Sequence, residues 1–247
     1  PREVYEEHRK ELQQTLLRFD QYVVGIRNED PNDLAREAEI QVSSVRKCNM
    51  EEPEKVSSLE NPLGLILPAD GFIESVSIKV KATNDTMLTY TVYEPDKKEN
   101  YNPETKIAEG ILDVKASKDL HWVSLPISKT IDKNKIFVEL GCNPDIKIGI
   151  SSRKLTGVIS MEKTVNKGAT IVDIDTLKMR EYIWRTLSDI TVCFKINPMV
   201  EIYGSENITN GYARPYGLPN IWLSDDKVEG EFMRLFWPQK KQLSEII

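Results

Sequence analysis

A chain of 247 residues has room for one large domain or two ordinary ones. Its hydrophobic share of 40% and charged share of 29% exclude a disordered or collagen-like chain. The net charge of −6, with acids and bases interleaved, argues against DNA or RNA as a partner, and no apolar run approaches the ~18 residues of a membrane-spanning helix.

In chain order, the first pattern is helical. Tyr5, His8, Leu12, Leu16 and Phe19 recur at steps of three and four and predict an amphipathic helix over 3–19. A second, short helix is predicted behind Asp30 as cap, with Pro31 in its first position and Asp33 in its first turn. From Glu39 the period becomes two. "EIQVSSV", "GFIESVSIKVKA", "MLTYTVYEP", "HWVSLPI", "KIFVELG" and "IKIGISS" alternate between turn residues, and about seven such strands over 39–152 predict an antiparallel β-sandwich. The polar stretch "YEPDKKENYNPETKIAEG" reads as a surface excursion between strands and a place for function. "DTLKMREYIWRTL" is open between helix and strand, whereas "SDITVCFKINP" reads as a strand ending at Pro198.

The predicted organisation is thus a helical lead-in over 1–38, a β-sandwich domain over 39–198, and the opening of a second β module over 199–247. A start at Pro1 without initiator Met or signal segment reads as a cut inside a longer polypeptide.

Chemistry is harder to find. Neither G-x-G-x-x-G nor G-x-x-x-x-G-K-[ST] occurs, so no dinucleotide or phosphate cradle is expected. Cys48, Cys142 and Cys193 are odd in number and far apart, which suits buried free thiols rather than a disulfide framework or zinc knuckle. His8 and His121 read as packing residues, and no G-x-S-x-G elbow is present. The acid pairs Asp173 with Asp175 and Asp225 with Asp226 read as solvated loop carboxylates, with a structural Ca²⁺ site as the alternative. Among the aromatics, Trp122 and Trp237 fall in strand patterns and are expected in the core. Tyr101, Tyr212, Tyr216 and Trp222 sit among turn residues; with Arg214 they form the candidate ligand-binding set, expected to be exposed for stacking on a sugar ring.

The segment "EIYGSENITNGYARPYGLPNIWLSDD", followed by "FMRLFWPQKKQLSEI", resembles the first part of a discoidin-like, galactose-binding-type sandwich. Together with "ELQQTLLRFDQYVVGIRNEDPNDLAREAEIQVSS", "HWVSLPI" and "KIFVEL", it resembles the C-terminal half of bacterial FAD-dependent oxidoreductases of uncharacterised substrate, in which a flavin domain precedes accessory sandwiches. Asn207, Gly211, Arg214, Pro215, Asn220, Trp222 and Ser224 carry the match; Gly211 is expected to supply a positive φ, and Asn207 or Asn220 to bond to nearby backbone. The resemblance implies FAD for the parent and no cofactor for this chain, since the flavin-binding glycine-rich βαβ unit has no counterpart here. It further implies a missing N-terminal flavin domain as partner, with a carbohydrate-like ligand and homo-oligomerisation as further possibilities. A whole discoidin-like module takes roughly eight strands, so the second module is expected to be incomplete. The rival readings are a carbohydrate-binding module of a sugar-degrading enzyme and a hydrolase using loop carboxylates. The compartment stays open between the cytoplasm and export of the parent.

Overall fold

The computed structural model describes residues 23–24, 38–95, 103–165, 182–208, 220–225 and 230–240. The helices expected over 3–19 and behind Asp30 lie outside these residues. What is described is mainly β, and it divides into two compact units: Pro1–Lys47 with Glu201–Ile247, and Cys48–Val200.

The larger unit is built from β3 (Lys55–Leu59), β4 (Leu63–Pro68), β5 (Gly71–Ala82), β6 (Thr86–Glu94), β7 (Thr105–Val114), β8 (His121–Ile131), β9 (Lys135–Leu140), β10 (Asn143–Ser151), β11 (Ile159–Val165), β12 (Tyr182–Thr186), β13 (Thr191–Val192) and β14 (Phe194–Asn197). These form two six-stranded sheets. The first runs β13-β10-β5-β14, with β3 also on β10 and β8 on β5; the second runs β12-β11-β4-β9-β6-β7. All these strand pairs are antiparallel.

Alternation explains the layering. On β5, Val76, Ile78, Val80 and Ala82 are buried while Ser77, Lys79 and Lys81 between them are half-exposed. On β6, Leu88, Tyr90 and Val92 are buried in the same way. The buried faces meet in one core, and two polar links cross it: Tyr90 Oη donates to the Pro126 carbonyl at 2.8 Å, and the Val192 N–H donates to Ser160 Oγ at 3.2 Å. The expected antiparallel sandwich is present in this sense. β7 occupies the end of the stretch read as a polar excursion, because an edge strand with one wet face carries few apolar residues. "DTLKMREYIWRTL" ends in strand β12, paired with β11 from Met161↔Thr186 to Val165↔Tyr182.

The smaller unit joins the two ends of the sequence. β2 (Glu39–Val42) pairs with β16 (Met233–Phe236), and β1 (Val23–Val24) with β15 (Trp222–Leu223), beside a 3-10 turn, Ser205–Ile208. Residues 39–47 therefore do not open the sandwich; their strand finds its partner almost two hundred residues later, at Met233↔Val42. Ser44 is the hub of this unit. Its hydroxyl donates to Glu231 at 2.9 Å and accepts the Asp225 N–H at 2.9 Å, and its carbonyl accepts Trp222 Nε1–H at 2.9 Å.

Candidate functional site on the outer face of the second sheet

Of the expected ligand-binding set, Tyr101, Tyr212, Arg214 and Tyr216 lie outside the described residues. Trp222 does not have the exposure expected of it: it is 2% exposed, and its indole N–H is bonded to the backbone of Ser44. Trp222 belongs to the short strand β15, and its side chain is buried like Tyr203, Ile208 and Leu223 of the same unit, so no face is left for stacking. Asn207 bonds to backbone as expected, its Nδ2 donating to the carbonyls of Ile202 and Ile221 at 2.9 Å each.

The remaining candidates sort quickly. Trp122 is half-buried on the outer face of the first sheet rather than in the core, with Lys79 and Lys195 at 5.3 and 4.6 Å from its ring centre. Trp237 is also half-buried. His121 belongs to β8, and its buried Nδ1 has no hydrogen-bond partner, so no carboxylate orients it as a base. Asp173, Asp175 and Asp226 lie outside the described residues, and among those described no three His, Cys, Asp or Glu side chains gather as a metal site would require.

Aromatic residues do converge elsewhere. β4 and β9 are the inner strands of the second sheet, and their runs "LGLILP" and "KIFVEL" are buried almost throughout, on both faces. Ile136 and Val138 point into the core, which turns Phe137 outward; it is nonetheless 2% exposed. Its cover comes from Tyr93 on β6, ring centres 6.3 Å apart and 67° inclined, and from Trp184 on β12, 4.9 Å and 69°. Gly64 on β4 permits this arrangement. A Cβ at that position would stand 2.5 Å from Phe137 Cζ and 2.9 Å from Trp184 Cζ3.

One ion pair borders the cluster. Lys163 Nζ lies 3.1 Å from Glu139 Oε1 and 5.4 Å from the Trp184 ring centre, with the two charged side chains 33% and 20% exposed. Beyond it the face is mixed, with Thr89, Thr91 and Glu109 on the same side as apolar residues that stand toward the sheet's two opposite edges. Of the nine large hydrophobic side chains exposed among the described residues, four lie here: Met87, Ile111, Val165 and Tyr182. Half-buried aromatic edges beside a fixed cation and carboxylate offer an apolar platform for sugar C–H groups and a donor and acceptor for hydroxyls. Tyr93 and Lys163 carried no signal in the sequence, and Trp184 sat in the ambiguous stretch; the continuous apolar runs of β4 and β9, which predict cover on both faces, were the available clue.

No protein-family model, curated protein or solved structure matches the chain.

Proposed function

We propose that the Cys48–Val200 sandwich is a non-catalytic accessory domain that holds a carbohydrate-like ligand on the outer face of its second sheet. The observation that carries this reading is the Tyr93, Phe137 and Trp184 cluster seated over Gly64 beside the Lys163–Glu139 pair. The antiparallel two-sheet architecture is compatible with a galactose-binding-type domain, and the resemblance to the C-terminal half of flavin-dependent oxidoreductases supports a parent enzyme in which such a domain presents substrate to a separate FAD-binding region. A second reading, docking against that flavin domain or against another copy of the chain, is favoured by the exposed Met87, Ile111, Val165 and Tyr182.

A glycan array followed by calorimetric titration tests the first reading. Saturable sugar binding is expected, lost in Trp184→Ala and retained in Phe72→Ala, which removes an exposed aromatic from β5. Binding insensitive to Trp184→Ala sinks the site assignment. Concentration-dependent mass in sedimentation, abolished by Ile111→Glu, selects the docking reading instead. A yellow chromophore co-purifying with this chain contradicts the expectation that it holds no flavin.

A further inference from the structure

We propose that the first sheet carries a separate oxyanion site, in the cleft between the end of β5, the turn from β7 to β8, and β10. The cleft is open, about 580 Å³ in volume, and lined by Lys81, Thr83, Ser117, Lys118 and Lys147 with Ala82 and Ala116. That volume lies within the range of small-ligand sites.

Charge is the argument. Lys81 and Lys147 are direct cross-strand partners on β5 and β10 and share the outer face of the sheet. Like charges placed opposite one another destabilise a strand pair, so the arrangement calls for a counter-ion. Among the described residues no carboxylate comes within ion-pair distance of Lys81, Lys118 or Lys147. Asp85, beside the same turn, is committed to Lys115 Nζ at 2.9 Å and to the Ala116 N–H at 2.8 Å. Asp119 and Asp145 meet the cleft through their backbone carbonyls, which accept from Ser117 Oγ and the Thr83 N–H. In a chain of net charge −6, three lysines with no carboxylate at ion-pair distance among the described residues gather positive charge at one cleft.

The walls are also fixed in advance. The Ser117 N–H donates to the Ala82 carbonyl at 3.0 Å, the Thr83 N–H to the Asp145 carbonyl at 3.1 Å, and Lys81 Nζ to the Lys118 carbonyl at 3.4 Å. Ala82 and Ala116 form a β-bridge besides. The three lining segments are thus tied together before any ligand arrives, which lowers the ordering cost of binding. The recognised chemistry is a carboxylate or sulfate group, from an acidic sugar or from a sulfate ester or free sulfate. This site lies on the other sheet from the aromatic cluster and does not rest on the sugar-binding reading.

Isothermal titration of the whole chain with inorganic sulfate and with digalacturonate, at constant ionic strength, tests it. At least one probe is expected to bind saturably, and the double variant Lys81→Gln/Lys147→Gln to bind about tenfold or more weakly. Lys106→Gln, which neutralises an exposed lysine paired with Glu109 on β7, is expected to leave affinity unchanged. Binding by sulfate alone, galacturonate alone or both identifies the oxyanion taken. Melting of the double variant at or above the wild-type temperature shows that lost binding is not lost folding; if it melts lower, Lys118→Gln on the turn replaces it and must weaken binding. Absence of saturable heat with either probe, affinity unchanged in the lysine variants, or an equal loss in Lys106→Gln overturns the proposal.

Discussion

Gly64 has no side chain, and the aromatic cluster depends on that. Its position on β4 faces outward, where Phe137 and Trp184 close over the bare backbone. Gly64→Val forces both rings aside, and overpacking of this kind costs about 1–3 kcal/mol. The expected result is a clear fall in melting temperature together with weaker glycan binding, with Gly64→Ala intermediate; a Val variant melting as the wild type refutes the packing described. A second prediction concerns thiols. Burial pushes Cys193 up to about 11, and neither it nor Cys48 has any exposed surface, whereas Cys142 is exposed. Only thiolates attack disulfide reagents. Titration of the native chain at pH 8 is therefore expected to show one fast thiol, lost in Cys142→Ser, with the other two released by denaturant. At this scale the sequence was least legible: Trp222 and Trp184 each sit in a stretch that reads either way, and only the pairing of distant strands decides which one is sealed in and which remains half-open.

Strands were more legible than residues, for a physical reason. "GFIESVSIKVKA" is β5 from end to end, because a strand with one wet face alternates at period two, here with one change of phase at the bulge between Ile73 and Ser75. β7 escaped because its edge position leaves it mostly half-exposed, and β4 because burial on both faces erases alternation. How strands are fastened at their ends was hidden altogether. Glu54, just before β3, accepts the Ser152 hydroxyl, the Ser152 N–H at 3.1 Å and the Ser151 hydroxyl at 3.0 Å from the end of β10. The Ser152 hydroxyl foremost, then its N–H and the Ser151 hydroxyl, hold the Glu54 carboxyl below its ordinary value; the Ala116 N–H and then Lys115 do the same for Asp85. A carboxylate whose folded-state pKa is depressed contributes stability above the unfolded pKa and loses it as pH falls through the folded one. Both staples thus act at neutral pH and fail below about pH 4. Thermal melts from pH 7 to pH 3 are expected to show a shallower acid limb for Glu54→Gln and Asp85→Asn than for the wild type; parallel limbs contradict the assignment.

For the whole molecule, the sequence order and the spatial order part company. The Cys48–Val200 unit begins and ends on neighbouring backbone: the Met50 N–H donates to the Phe194 carbonyl at 3.0 Å, and the Phe194 N–H to the Met50 carbonyl at 2.9 Å. A unit whose ends meet is able to interrupt another unit's sequence without breaking its core. The smaller unit is interrupted in this way, since β15 and β16 take their partners β1 and β2 from before the interruption. Reading left to right splits the chain near residue 198 and gives no sign that β15 and β16 pair with strands before residue 48, because period and turn signals are local and strand pairing is not. The division seen in the structure makes two forecasts for fragments. Residues 48–200 expressed alone are expected to give a dispersed NMR spectrum and to melt within about 5 °C of the corresponding transition in the full chain. Residues 199–247 alone are expected to be unstructured, since two-residue and four-residue strands without their partners bury too little to offset their ordering entropy, and to gain structure on mixing with residues 1–47. A folded 199–247 fragment refutes this division.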